Sequence, residues 1–428
     1  MASQQPTPTG LVRSPPVLPT EVVYLIMDLF ATPLSTHELQ SFPWFLGHIC
    51  STWRSIFLSM TAEFWCSISI WFRPERRDSE RTKNVVQFFL ERDPAAPFSF
   101  EVKSPHHIHE FQQHEIVHIC QTLDILTDAS MRWKGASFTV RGPTDLLPLR
   151  RAKHRLPLLQ KILLCLGLHK VPDQMLDVFQ NAPHLNDVVV RELEDWKFNL
   201  EDLKAISIDR LGSGAPHFIT ALPRMAKLKR LRIGTEFDDK LLSSIIVLPN
   251  LTTLGCEHSS LRFLEAPALE DLTIEYNTCN PFNLDVDNIR SFLSRSSSTM
   301  NILSLGIAQA GAATAVEIIK LTPQVARLRL MDLIQVKKTL KQLTISTNAP
   351  QEPLARHMLS LSITDFSRIR DYSSQLISLV SSRTRSSIAG NDDYKRLRKL
   401  DVNHVTRNAE KVLVALCKRR GVQFVGPK

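Results

Sequence analysis

No stretch of the 428-residue chain approaches the roughly eighteen uncharged apolar residues of a membrane-spanning helix, so no transmembrane segment is expected. Glycine is scarce, at 14 residues. Neither a Gly-x-Ser-x-Gly nucleophile turn nor a glycine-rich loop occurs, which leaves little provision for close backbone approach to phosphates. The seven cysteines (Cys50, Cys66, Cys120, Cys165, Cys256, Cys279 and Cys417) are odd in number and scattered, without a Cys-x-x-Cys pair. That argues against a disulfide framework or a zinc knuckle and suits small buried side chains in a reducing compartment. Residues 1–17 are polar, carry Pro6, Pro8, Pro15 and Pro16, and lack the apolar core of a secretory signal. They read as a disordered lead-in to an intracellular protein, cytoplasmic or nuclear.

What is present is a globular composition: 43% apolar and 22% charged residues, enough for a large core and, by length, about two to three domains. The net charge is +9. Its basic residues fall in short clusters, at Arg150, Arg151, Lys153 and Arg155, at Lys395, Arg396, Arg398 and Lys399, and at Lys418 to Arg420. No aromatics interleave with them, so they read as solvated faces rather than a nucleic-acid surface.

The segment Leu18 to Phe30 reads as a helix with Pro19 and Glu21 in its first turn, where a missing N–H and a negative charge are both favoured. Val22, Ile26 and Leu29 form one stripe, and Val23, Met27 and Phe30 an adjacent one, so the helix must be covered on more than one side. A polar loop follows to Phe42. A second helix is expected from Trp44 to Met60, with Leu46, Ile49, Cys50, Trp53, Ile56 and Phe57 in phase; Ile68 and Ile70 then alternate like a strand. This order resembles the F-box. The family's Leu-Pro-x-Glu stands as Leu18, Pro19 and Glu21, and its helical apolar positions as Val22, Ile26 and Leu29. Its Val/Ile-Cys-x-x-Trp-Arg stands as Ile49, Cys50, Trp53 and Arg54, and its closing pair as Phe64 and Trp65. The loop between the two helices is longer and more polar than the family's.

From about Phe72 onward a unit recurs: a proline, one residue, then apolar-x-x-apolar-x-apolar. Copies begin at Pro157, Pro183, Pro249, Pro267 and Pro323, against about two expected by chance at this composition. Copies without the proline include Leu203-Ile206-Ile208, Leu228-Leu231-Ile233, Ile302-Leu305-Ile307, Leu340-Leu343-Ile345, Met358-Leu361-Ile363 and Leu397-Leu400-Val402. From Leu164 to Val402 the units end at a mean spacing near 24 residues. The pattern resembles leucine-rich repeats. Asn277 and Asn348 stand where those repeats carry a turn asparagine; the other copies lack it, so their turns need another means of satisfying backbone groups. Helices over Val85–Arg92 and Phe111–Leu126, and strands at Phe98–Val102 and Phe138–Val140, form the entry to this region. The phrases Leu90-Glu91-Arg92, Ser130-Met131-Arg132-Trp133, Ala182-Pro183-x-Leu185 and Gly421-Val422 resemble connecting phrases of fungal F-box proteins with such repeats.

One further motif carries chemistry. His114-Glu115-Ile116-Val117-His118 matches His-Glu-x-x-His, which on a helix puts two imidazoles on one face for zinc with the glutamate as general base. No third-histidine extension follows, and no glutamate occurs between Glu115 and Glu192. Asp124, Asp128, His106, His107 and His109 are the remaining candidate ligands. The alternative is a polar helix face above Ile116, Ile119, Leu123 and Leu126, and that reading needs no further ligand.

The expected fold is α/β: a helical F-box over 18–70, then an irregular leucine-rich-repeat solenoid over 71–428 with a parallel sheet on its concave face. By resemblance, the first module docks a Skp-type linker and through it a cullin, and the repeats hold a substrate protein for ubiquitination. Leu18, Pro19, Glu21, Val22, Ile26, Leu29, Ile49, Cys50 and Trp53 are the expected linker contacts. No catalytic residue, metal or cofactor is expected. A repeat scaffold whose first helices merely cap the solenoid, a metalloprotease on the histidine helix, and a nucleic-acid-binding solenoid are the alternatives.

Overall fold

The computed structural model describes residues 18–30, 33–59, 65–73, 79–104, 112–140, 143–167, 173–238, 240, 244–275, 285–296, 303–308, 310–331, 333, 335–345, 354–364, 372–384, 395–403, 405 and 407–426. The 1–17 lead-in, Phe64, His106, His107, His109, Asn277, Cys279 and Asn348 lie outside the described residues.

Short runs of alternating apolar residues become strands because period two sends every second side chain to one face. In order they are β1 (Leu34–Ser35), β2 (Ser67–Trp71), β3 (Phe98–Ser104), β4 (Trp133–Val140), β5 (Lys161–Leu166), β6 (Asp187–Glu192), β7 (Ala205–Arg210), β8 (Arg230–Ile233), β9 (Ile246–Val247), β10 (Thr253–Glu257), β11 (Leu264–Glu265), β12 (Asp271–Glu275), β13 (Leu303–Ala308), β14 (Val325–Met331), β15 (Ser360–Thr364), β16 (Lys399–Val402) and β17 (Gln423–Val425). β9 and β11 form a small separate pair. The other fifteen make one sheet, every neighbour parallel and every strand beside the one before it in the chain.

Register joins the recurring apolar positions into two continuous rows. One row runs Leu34, Ile68, Phe100, Ala136, Ile162 and Val188, then through Ile206, Leu231, Leu254 and Leu272 toward Leu400. The second includes Ile70, Val102, Phe138, Leu164, Val190 and Ile208. The side chains named in both rows are buried. Each such leucine, isoleucine or valine contributes about 1.5–3 kcal/mol by leaving water, and no single unit could cover its own row.

The helices are α1 (Thr20–Leu29), which precedes the first strand, and α2 (Ser51–Ser59), α3 (Ser79–Arg92), α4 (Gln113–Asp128), α5 (Ala215–Ala221), α6 (Val286–Ser296), α7 (Ala312–Leu321), α8 (Val336–Leu343), α9 (Ser373–Arg383) and α10 (Arg407–Arg420), all but α5 toward the two ends of the sheet. Shorter 3-10 turns dominate between β4 and β12.

Three expectations need correction. Leu340 and Leu343 do not enter a strand: Val336, Thr339, Leu340 and Leu343 are buried along α8, because an apolar-x-x-apolar spacing serves a helix equally well. Without that unit the step from Leu330 to Ile363 is 33 residues. The helix expected from Trp44 to Met60 is a 3-10 segment, Trp44–His48, followed by the separate α2. The Arg54 guanidinium donates to the Gly47 carbonyl at 2.9 Å, and Gly47 lies against the Phe57 ring, so the break is held from both sides. The sheet also begins earlier than expected: β2 is the strand expected at Ile68 and Ile70, and β1, which was not expected, pairs with it as the first strand.

Arginines at the ends of helical segments satisfy backbone carbonyls of the preceding stretch. Arg92, ending α3, donates to the Leu58 carbonyl. Arg132 donates to the carbonyls of Ala96 (2.9 Å), Leu90 (3.3 Å) and Asp93 (2.6 Å). Arg295, at the end of α6, reaches Leu261, Arg262 and Leu264, each at 3.1 Å. Arg383, ending α9 and only 2% exposed, serves Leu343, Leu354 and Ala355. Each guanidinium thus satisfies carbonyls one unit back, and a planar five-donor fork suits several acceptors at once.

Candidate docking surface

α1 starts after Pro19, whose carbonyl accepts from the N–H groups of Val22 (3.0 Å) and Val23 (3.1 Å). Of its two apolar stripes, the one facing inward is Val23 and Met27, 2% and 0% exposed. The stripe of Val22, Ile26 and Leu29 faces out: Val22 and Leu29 are exposed and Ile26 is half-buried. Leu25, 66% exposed, completes this face and Leu29 is 85% exposed. Leu18, Val22, Leu25 and Leu29 follow steps of four, three and four residues, the seam spacing that a second helix can fill.

The face continues across the chain. The Phe30 ring meets Phe45 edge-on at 5.7 Å, joining the end of α1 to the 3-10 segment. Phe45, Ile49 and Leu58 are exposed, as is Cys50. Tyr24 and Ser59 hydroxyls lie 3.3 Å apart, tying α1 to α2. Beneath this layer Phe42, Trp44, Phe57 and Trp65 pack ring against ring, with Phe42 and Trp65 5.2 Å apart. Trp65 meets Phe88 of α3 at 6.0 Å and carries the Arg92 guanidinium at 5.6 Å. The module is therefore anchored to the next unit through its aromatic side while its aliphatic side stays open.

Of the residues expected to contact a partner, Leu18, Pro19, Glu21, Val22, Leu29, Ile49 and Cys50 are exposed. Ile26 is half-buried, and Trp53 is half-buried against the core. Leu25, Phe45 and Leu58 were not singled out from the sequence. Leu25 was detectable, since it completes the four-three-four spacing; Phe45 and Leu58 carry no periodic signal.

The histidine motif lies on α4 with His114 exposed and His118 half-buried. Glu115 is not on the polar face: it is 1% exposed, and both carboxylate oxygens are buried without a hydrogen-bond partner. Asp124 and Asp128 are held by the Arg151 guanidinium at 2.6 Å each. Among the described residues no group of three or more His, Cys, Asp or Glu is placed to hold a metal ion.

The first basic cluster is largely engaged within the fold. Besides Arg151, Lys153 pairs with Asp177 at 2.5 Å, and Arg155 donates to the Asp128 carbonyl at 2.8 Å. The Lys153 hydrogen bond holds the Asp177 carboxyl below the usual carboxylate range.

The sheet's other face is polar and cross-linked. Arg232 on β8 reaches over Gly255 of β10 to Glu275 of β12 at 2.7 Å and also meets Asp209 at 3.3 Å. Hydrogen bonding to Glu275 raises the Arg232 pKa. Arg329 of β14 likewise crosses Gly306 to Asp271 and Thr273. A Cβ at Gly255 would stand 3.3 Å from the Arg232 side chain, so the glycine leaves that arginine room. Arg232 and Asp209 are exposed while Glu275, Arg329 and Asp271 are half-buried; a solvent-accessible pair of this kind adds about 0–1 kcal/mol.

No protein-family model matches the chain, and no curated protein matches its sequence significantly. Among the described residues no helix is long and apolar enough to cross a membrane.

Proposed function

We propose that the chain is a substrate-recognition adaptor of a Skp–cullin–F-box type ubiquitin ligase. In this reading residues 18–70 are an F-box that docks a Skp-type linker, and the chain-order parallel sheet is an irregular leucine-rich-repeat solenoid that holds a substrate protein. The adaptor itself performs no chemistry; it contributes proximity and orientation.

The observation that carries the reading is the two-sided first helix. Val23 and Met27 are spent on the core, whereas Leu18, Val22, Leu25 and Leu29 form an aliphatic seam with nothing over it among the described residues. Phe30, at the end of α1, carries the apolar surface on to Phe45, and an exposed apolar face of this kind is what a partner helix can cover. The strand ladder supports the second half, since units that pair only with their chain neighbours are what a repeat array requires.

A second reading has a specific observation in its favour. β1 and β2 continue the buried row from Leu34 and Ile68 to Phe100, so the module also covers the first edge of the sheet. A pure cap would need that edge but not the open seam. Co-purification of the full chain with a Skp-type linker separates the two. The adaptor reading expects capture by the native chain and loss with Leu29→Asp. A folded native chain that captures no linker would leave only the cap.

A further inference from the structure

The first basic cluster is engaged within the fold, but the second and third are left unpaired and are brought together. Lys395, Arg396 and Arg398 are exposed, and Lys399 half-buried, where the chain enters β16. β17 runs parallel to β16, so α10, which joins them, returns its last turn to that same end of the sheet. Lys418, Arg419 and Arg420, all exposed, form that turn. Gly421, at φ +69°, reverses the chain, and the Gln423 N–H donates to the Arg398 carbonyl at 2.8 Å. Two clusters separate in sequence thus make one patch.

Among the described residues none of these seven cations is in an ion pair or donates a side-chain hydrogen bond. The acidic residues on β16 and α10 are Asp401 and Glu410. Glu410 is in the first turn of α10, about 12 Å along the helix from Lys418. The polar face of the sheet extends the charge. Arg327 of β14 pairs with Ser360 of β15, and Ser360 with Lys399, which sets the two basic residues about 10 Å apart across the sheet. Arg327 is exposed and, among the described residues, also outside any ion pair. A helix C-terminus favours cations, which accounts for Lys418 to Arg420 but not for the cluster entering β16. The patch is not purely polar. Val412 and Val414 of α10 are 50% and 44% exposed, and Val414 stands one turn before Lys418 on the same face.

We infer that this patch binds an acidic polypeptide segment that carries apolar residues among its carboxylates. Arginine forks and lysine ammonium groups take the carboxylates, and apolar side chains of the segment cover Val412 and Val414. A nucleic acid would engage the cations but leave the valines uncovered, and neither cluster holds an aromatic on which a base could stack. A membrane surface needs an apolar helix face to insert, and that face of α10, with Ala409, Leu413 and Cys417, is buried in the core. Calling the bound protein a substrate rests on the adaptor reading; the chemistry of the surface does not.

The full chain is titrated against labelled peptides and followed by fluorescence anisotropy. One peptide repeats two glutamates and a leucine; a second replaces glutamate with glutamine, and a third replaces leucine with serine. A short DNA duplex, and vesicles of equal parts phosphatidylserine and phosphatidylcholine followed by co-sedimentation, are the other probes. The glutamate–leucine peptide should bind saturably at low salt, the glutamine peptide at least about tenfold more weakly and the serine peptide about threefold more weakly. Arg398→Glu with Arg419→Glu should weaken the glutamate–leucine peptide at least about tenfold. Lys204→Glu with Lys229→Glu makes the same change in net charge at exposed lysines before β7 and β8, and should alter binding by less than about twofold. Should the patch variant fail to fold, Arg398→Gln with Arg419→Gln takes its place, with a loss of about threefold expected. No binding of the glutamate–leucine peptide, equal binding of the glutamine or the serine peptide, an unchanged affinity in a folded patch variant, an equal loss in the lysine control, or tighter binding of the duplex or the vesicles would each overturn the inference. The linker takes no part in these titrations, so their result is independent of linker binding.

Discussion

Arg383 offers the sharpest test of how the units are held together. Its guanidinium is 2% exposed and donates to Leu343 (Nε 3.0 Å, Nη2 2.8 Å), Ala355 (Nη1 2.8 Å) and Leu354. Arg383→Met keeps the apolar stem and removes every donor. Three carbonyls are then left without this partner at about 1–3 kcal/mol each, or about 3–9 kcal/mol in total. Relief from burying a cation returns several kcal/mol, so the net destabilisation expected is about 2–4 kcal/mol. The effect should be local at first, because each strand pairs only with its chain neighbours. Amide hydrogen exchange reads this directly: protection over α8 and β15 should fall by about 30- to 900-fold while β5 to β8 are unchanged. Arg383→Lys recovers only part of the loss, since one ammonium cannot span the three acceptors. A methionine variant within about 0.5 kcal/mol of native, with exchange unaltered over α8, would refute the view that these arginines stitch neighbouring units.

The remaining predictions test separate points. Gly214→Ala drives a Cβ against the Glu194 carbonyl, so the thermal midpoint should fall with a cost of at least about 1–3 kcal/mol. Asp177 is held below the ordinary carboxylate range by Lys153, so its contribution is complete above that range and is lost as pH falls through the depressed value. Asp177→Asn should therefore lower the denaturation midpoint at neutral pH and flatten its decline in acid. Exposed Cys50 should be alkylated rapidly in the native chain, whereas Cys256, buried and with its thiol pKa pushed up, should react only on unfolding. Mass spectrometry after brief labelling distinguishes the two.

The strand ladder was legible in the sequence because buried parallel strands leave a short, repeated apolar signature, and ten of the eleven units entered strands. The eleventh, at Leu340 to Ile345, failed where strand and helix spacings coincide. β1, two residues long, and β17 at the far edge left too little pattern to detect. The arginine stitches were invisible for a different reason: donor and acceptor lie 28 to 42 residues apart for Arg132, Arg295 and Arg383, so only the folded chain brings them together. Two of the four, Arg92 and Arg132, stand in the phrases Leu90-Glu91-Arg92 and Ser130-Met131-Arg132-Trp133, and their carbonyl acceptors give those phrases a physical role. For the docking face, periodicity identified two apolar stripes on α1 but could not orient them. Burial of Val23 and Met27 orients them, leaving the other stripe outward.

Whether the outward stripe of α1 is a docking face is decided by the affinity of the full chain for a purified Skp-type linker. The native chain should bind, and Leu25→Asp with Leu29→Asp should lose about 2–4 kcal/mol, or about 30- to 900-fold, with no change in the unfolding transition. A folded native chain that does not bind, or a double variant that binds as tightly as native, would contradict docking there.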